Sequence, residues 1–184
     1  MIFLETSRLM LRTVTPEDAA AIHRWRSDPR CARYQRGQVT EYGEIAALMA
    51  EHRADVLSVD APFMAVMALR STGEPVGEIV VMPQDGAISL GFTVSPLRQR
   101  QGYAFEALTA LMELLHARFP QWEFLCFTDP ENTPSMALLT RLGCRDLGYV
   151  PAMDSRVFGK WATGQTEAEI ARAAGALPGS PEES

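Results

Sequence analysis

Arg98-Gln99-Arg100-Gln101-Gly102-Tyr103-Ala104 places two cations, a glycine and an alanine in one short stretch. It follows an alternating apolar segment, Ile88 to Val94, and opens an amphipathic one, Gly102 to Arg118. A strand that turns through glycine into a helix leaves the first helical N–H groups without intrahelical partners. Those donors, with the positive end of the helix macrodipole, suit a phosphate. Arg98 and Arg100 add charge, Gly102 lets a ligand approach the backbone, and Ala104 keeps the first turn slim. The chemistry expected is capture of a diphosphate-bearing ligand. As a bare string the pattern is common, and the strand before it and the helix after it give it meaning.

The elements that must hold this loop can be read from periodicity and capping chemistry. Leu9 to Val14 alternates and predicts a first strand. Thr15-Pro16-Glu17-Asp18 predicts a helix start, with a capping hydroxyl, proline at the first helical position and acids in the first turn. That helix should run through Ile22 and Trp25 and stop before Asp28-Pro29. Thr40 is expected to cap a second helix reaching Ser58, although Gly43 weakens its first turn. Phe63 to Leu69 and Val76 to Met82 flank a turn cluster, Ser71 to Pro75, and predict an antiparallel hairpin. Gln84-Asp85-Gly86 turns into the strand that ends at Val94.

Downstream, the helix from Gly102 to Arg118 carries Ala104, Leu108, Leu111 and Leu115 as a core stripe. Trp122 to Thr128 predicts a buried strand. Asn132 to Leu142 predicts a short helix closed by Gly143 in a left-handed cap. Arg145 to Val150 and Ser155 to Trp161 predict two last strands. The fold class is α+β: a mixed, mainly antiparallel central sheet flanked by helices, in a single domain spanning 1–163. The tail, 164–184, has a capping-box pattern at Thr166-x-x-Glu169 that opens a short helix. Pro178 to Ser184 is expected to be disordered.

The chain has 184 residues, 47% of them hydrophobic, enough for one full-sized core. Its formal charge of -6, from 17 basic and 23 acidic side chains, argues against nucleic acid as a partner. Cys31, Cys126 and Cys144 are odd in number and widely spaced, which favours reduced thiols and a cytoplasmic location. The three histidines are isolated, so no metal site is expected. There is no basic-then-apolar leader, and the longest apolar run is interrupted by Pro62. Neither export nor membrane spanning is expected.

A second motif lies about thirty residues after the loop: Asn132-Thr133-Pro134-Ser135-Met136-Ala137-Leu138-Leu139-Thr140-Arg141-Leu142-Gly143-Cys144. With Gln99 to Ala104 it resembles the GNAT superfamily of acetyl-CoA-dependent N-acetyltransferases, and within it the Rim-type branch, which includes enzymes that acetylate ribosomal-protein N-termini. Glu5-Thr6-Ser7-Arg8-Leu9-Met10-Leu11-Arg12, the helix start at Thr15 to Asp18 and Asn-x-x-Ser in the late helix match that branch. The likeness covers Thr6 to Trp161 and implies the acyl-CoA N-acyltransferase fold, acetyl-CoA as cosubstrate, an amine acceptor and a homodimer.

Residue by residue, the resemblance implies that Arg98, Gln99, Arg100, Gln101, Gly102, Tyr103 and Ala104 hold the diphosphate of coenzyme A, chiefly through backbone N–H groups. Phe92, Thr93 and Val94 would bond the pantetheine arm and hold the acetyl carbonyl along the strand edge. Gly91 would mark the bulge or close approach that splaying strands around a cofactor requires. Asn132 would bond the pantetheine side, its plainer role being a helix cap. Ser135 aligns with a serine proposed to protonate the departing thiolate, its plainer role being a hydroxyl that satisfies local backbone. His23, Trp25, Arg26 and Asp28 fall where Rim-type enzymes build part of the acceptor groove.

The chemistry implied is direct attack of a neutral amine on the thioester, which needs positioning, oxyanion donors, a base and an acid. No covalent intermediate is required. Many relatives carry a tyrosine acid where this chain has Leu139, so that role passes to Ser135 or lapses. Where some keep a strand glutamate, this chain has Ile88 or Ser89, neither of which can serve. Glu78, a strand carboxylate beside the cofactor cleft that could relay a proton through water, is the base candidate. The competing reading of Glu78 is an outward-facing, solvated side chain. Two other functions stay open: a non-catalytic acyl-CoA-binding module, and a nucleotide-binding protein, which would lack a Walker lysine after the glycine.

Overall fold

Leu9, Leu11 and Thr13 are buried at alternate positions of the second strand, and that alternation anchors the amino-terminal half. The structure, a computed structural model, describes residues 1–175. The expected disorder at Pro178 to Ser184 lies outside the described residues. Among the described residues eight strands form the sheet: β1 (Ile2–Glu5), β2 (Leu9–Thr13), β3 (Phe63–Leu69), β4 (Pro75–Gln84), β5 (Ala87–Val94), β6 (Glu123–Thr128), β7 (Arg145–Val150) and β8 (Ser155–Lys160). Their order is β1-β2-β3-β4-β5-β6-β8-β7. The β5–β6 pair is parallel, whereas β1–β2, β2–β3, β3–β4, β6–β8 and β7–β8 are antiparallel. The sheet is thus mixed and mostly antiparallel, as the sequence predicts. Strand β1 was not predicted, being short and half-exposed.

The chain divides into two compact units. The first comprises Met1–Pro83 and Leu90–Phe119; the second comprises Gln84–Ser89 and the chain from Pro120. In the first unit Pro16–Asp18 forms a 3-10 turn that leads into α1 (Ala19–Arg26). Thr15 and Asp18 make a capping box there, from the capping residue and first-turn acid that the sequence predicts. A short helix, α2 (Pro29–Ala32), follows Asp28, whose carboxylate accepts from the Arg30 N–H at 2.8 Å. Helix α3 is Tyr42–His52, capped at Glu41 rather than Thr40 and shorter than predicted. It stops because Asp55 turns the chain toward β3: one carboxylate oxygen bonds both His52 Nδ1 at 2.7 Å and the Met64 N–H at 2.8 Å.

Strand β3 is apolar throughout because it is buried on both faces. Its Met64, Val66 and Ala68 join Ile22 and Trp25 of α1 and Ile45 and Met49 of α3 in one core cluster. Truncating such a fully buried side chain to alanine costs about 2–5 kcal/mol. The long helix α4 (Tyr103–Arg118) packs against β2 and buries Ala107, Leu108, Leu111, Met112 and Leu115. Ala104, predicted on that stripe, is only half-buried; Ala107 and Met112 complete the face instead.

In the second unit the β5 residues Ala87 and Ile88 pair with Glu123 and Phe124. Phe124, Cys126, Val157 and Phe158 are buried, with Phe124 meeting Trp161 edge-on at 5.5 Å. Helix α5 (Thr133–Arg141) ends at Gly143 (φ 82), and Lys160 Nζ donates to Leu142 C=O at 2.7 Å. Helix α6 (Gly164–Gly175) packs on β7 and runs longer than predicted. Its start is tied by Thr163, whose Oγ1 accepts from the Thr166 N–H at 3.2 Å, so the capping hydroxyl is not Thr166.

Candidate active site

After β5 ends at Val94 the chain turns sharply, with the Arg98 N–H donating to Ser95 C=O at 2.8 Å. Arg100 (φ 62) and Gly102 (φ 82) both occupy the left-handed region. Gly102 is the cap residue of α4 and has no side chain with which to accept from the helix amides. The Glu106 N–H donates to Gly102 C=O at 3.0 Å. The amides of Tyr103 and Ala104 therefore stand ahead of that bond, at the positive end of a four-turn helix.

Side chains near the loop fold onto its carbonyls. Gln99 Nε2 donates to Val94 C=O at 3.2 Å, Gln101 Nε2 to Leu97 C=O at 3.4 Å, and Arg8 Nη1 to Gln101 C=O at 2.9 Å. With those acceptors engaged, the loop offers donors, the polarity a diphosphate needs. Arg98 does not supply a loose charge as predicted. Its guanidinium grips Glu74 through three contacts of 2.6–3.2 Å. Arg100 is exposed.

Glu106, in the first turn of α4, is the most heavily bonded carboxylate near the loop. It accepts from Thr6 Oγ1 at 2.6 Å, Ser7 Oγ at 3.0 Å, the Arg8 N–H at 2.9 Å and Arg8 Nε at 2.6 Å. Burial pushes its carboxyl up, but the bonds from Thr6, Arg8 and Ser7 outweigh that and hold it down at about 2. Neither Arg8 nor Glu106 was singled out as a site residue. The only sequence signal was Arg8's place in the opening motif.

Along β5, Gln35 Nε2 donates to Phe92 C=O and to Thr93 Oγ1, both at 3.3 Å. The Cys31 thiol lies 3.5 Å from Val94 C=O, and burial pushes that thiol up. Phe92 and Val94 are half-buried and Thr93 is buried. The glycine that permits close strand approach is Gly77, not Gly91. A Cβ on Gly77 would collide with the Thr93 carbonyl oxygen and the Met67 side chain, whereas one on Gly91 would meet only Met82 at an ordinary 3.8 Å.

Glu78 is not a solvated side chain. It is 1% exposed, and both its oxygens accept from Arg26, from Nε and Nη2, at 2.8 Å each. Arg26, itself 4% exposed, gives Nη1 to Val39 C=O at 3.1 Å. The outward reading failed because β4 is covered on both faces at this point, with Gly77, Glu78 and Ile79 all buried. Of the neighbouring residues predicted near an acceptor groove, Trp25 is core, His23 stacks edge-on against Tyr42 at 5.6 Å, and Asp28 caps α2.

The second unit carries the other motif. Asn132 is the cap of α5, its Oδ1 accepting from the Ser135 N–H at 3.1 Å. That is the plainer of its two predicted roles, and it leaves the Asn132 NH2 group as a donor. Ser135 is half-buried, and its hydroxyl makes no hydrogen bond to another described residue. It does not serve as a local backbone cap. Asp129 shapes the approach to α5 by accepting from the Glu131 N–H at 2.9 Å. Leu139 is buried.

Comparison with known proteins gives the family. The model of the acetyltransferase (GNAT) domain matches residues 8–145, and the chain belongs to that family. It is an acyltransferase. An uncharacterized N-acetyltransferase of Bacillus subtilis, YnaD, is 26% identical over 148 residues, covering 79% of this chain and 84% of its own. The crystal structure of a Salmonella typhimurium acetyltransferase that modifies the N-terminal serine of ribosomal protein L7/L12 superposes with a TM-score of 0.73. It is 18% identical, over 89% of this chain and all of the other (100%). A RimL ribosomal L7/L12 acetyltransferase bound to coenzyme A superposes at 0.68, with 18% identity over 87% of this chain and 97% of its own. Among the described residues, no helix is long and apolar enough to cross a membrane.

Proposed function

We propose that this acetyltransferase moves the acetyl group of acetyl-CoA to a primary amine by direct attack. One observation carries the cosubstrate: the sixteen-residue helix α4 begins at a left-handed glycine with no side-chain cap hydrogen-bonded to its amides. A diphosphate supplies the acceptors that such an end lacks. The residues Gln99 to Ala104 present backbone donors to it, and Arg100 adds charge. The β5 edge from Phe92 to Val94 holds the pantetheine arm, and Asn132 keeps its NH2 group as a further donor. The Ser135 hydroxyl, with no competing hydrogen bond among the described residues, gives a proton to the departing thiolate.

Glu78 has a different role in this reading. Both its oxygens are committed to Arg26, so taking a proton from an ammonium would mean breaking a buried bidentate pair. It acts instead by holding α1 and the segment at Val39 in place. Glu78→Gln strands the Arg26 charge and should cost about 3–5 kcal/mol of stability, read by urea unfolding. The double variant Arg26→Met/Glu78→Leu removes both charges, and should refold and still transfer acetyl groups. Loss of turnover in a stably folded double variant would restore Glu78 as the base.

The acceptor is a protein N-terminus or a small amine. Ribosomal-protein N-terminal peptides come first, because structures this chain resembles are named for that reaction. The net charge of -6 also favours a cationic acceptor. The test is release of free thiol from acetyl-CoA across a panel of peptides, polyamines and aminoglycosides. Binding of acetyl-CoA without thiol release under any acceptor would leave an acyl-CoA-binding module. A rise in melting temperature with ATP but not acetyl-CoA would end the proposal.

A further inference from the structure

We infer that Arg8, locked by Glu106, is a positioning residue that aims the Gly102 amide at the diphosphate of coenzyme A. The inference rests on the acetyl-CoA reading above. Arg8 reaches the loop from 93 positions away and donates from Nη1 to the Gln101 carbonyl at 2.9 Å. That carbonyl and the Gly102 N–H belong to one peptide unit, and no peptide bond described is cis. In a planar trans peptide the two groups point in opposite directions. A carbonyl tied toward Arg8 therefore turns the Gly102 N–H to the other side, away from the guanidinium.

The guanidinium has little freedom to let go. Nε is held by Glu106 Oε2 at 2.6 Å, and the group lies 4.6 Å from the centre of the Tyr103 ring. Glu106 is itself held by Thr6 and Ser7. Its carboxylate sits in the first turn of α4, where it competes with any bound anion for the positive end of the helix. Arg8 offsets that charge. The residue thus acts twice through other groups: it orients a donor, and it quiets a carboxylate that would repel the ligand.

The test titrates the full chain with coenzyme A and, separately, with pantetheine, which has the thiol arm but no phosphate. Arg8→Ala should weaken coenzyme A binding about tenfold, the loss of one charge-assisted hydrogen bond with added repulsion. Pantetheine affinity should move less than about twofold, because the arm does not depend on the loop amides. Arg8→Lys keeps a charge beside Glu106 but has no fork to reach Gln101 as well. It should fold and show the same selective loss in smaller measure. Equal losses for both ligands, or unchanged coenzyme A affinity in both variants, would overturn the inference. A wild-type chain that does not bind coenzyme A would overturn the acetyl-CoA reading beneath it.

Discussion

Helices α4 and α5 begin in opposite ways. At α4 the cap is Gly102, left-handed and without a side chain, and the nearby polar side chains bond loop carbonyls rather than helix amides. At α5 the cap is Asn132, whose own oxygen closes on the Ser135 N–H. A helix that caps itself has spent the donors an anion would want. One that starts at glycine keeps them. The contrast assigns the two motifs different work: α4 offers backbone to a charged group, whereas α5 offers side chains, the Asn132 NH2 and the Ser135 hydroxyl.

Closing the open end is the strongest way to undo this contrast. Gly102→Val forces a β-branched residue into left-handed backbone, with its Cβ in tight contact, 3.3 Å, with Arg8 Nη2. The KM for acetyl-CoA should rise about a hundredfold, combining left-handed strain with blocked approach. A KM within a few-fold of wild type would mean that the diphosphate sits elsewhere. At the other helix, Ser135→Ala should lower kcat about ten- to a hundredfold as the acid is lost. Its melting temperature should hold, since the hydroxyl bonds nothing described. Unchanged turnover removes Ser135 from the mechanism.

Asn132 can be split into its two roles. Asn132→Ala loses the cap and should cost about 1 kcal/mol, a drop of about 2–4 °C in melting temperature. Asn132→Asp keeps a capping oxygen but has no NH2, so it should melt like wild type while raising the KM for acetyl-CoA. If both variants bind acetyl-CoA normally, the side chain is a cap and nothing more. Acid titration probes the bonds that tie Glu106 at the start of α4. Glu106 lies at about 2 in the fold against an ordinary 4.5, so its stabilisation is complete above about 4.5 and lost as pH falls toward 2. Melts taken from neutral pH into acid should show that limb shallower in Glu106→Gln, and coincident curves would contradict the strap to Arg8.

Much of the fold was legible because its signals are local. Phe63 to Leu69 and Arg145 to Val150 are strands with the predicted bounds, and the helix from Gly102 to Arg118 differs only in treating its first residue as the cap. Capping chemistry at Thr15 and Gly143 was likewise readable from a few neighbouring residues. The errors fall where a distant partner decides. Helix α3 ended early because Asp55 bonds Met64 across a turn, and Glu78 went inside because Arg26 met it there.

The chain's order of residues, taken alone, determined a glycine-started helix after a strand, an Asn-x-x-Ser helix later, and hence the family. Tertiary structure decided which charges remain available to a ligand. It drew Arg98 to Glu74, spent Glu78 on Arg26, moved the close-approach glycine from Gly91 to Gly77, and brought Arg8 across to Gln101 and Glu106. The physical reason is range. Helix starts and turns are set by contacts within about four residues, which a sequence displays, whereas ion pairs form between whichever charges the packed chain leaves adjacent.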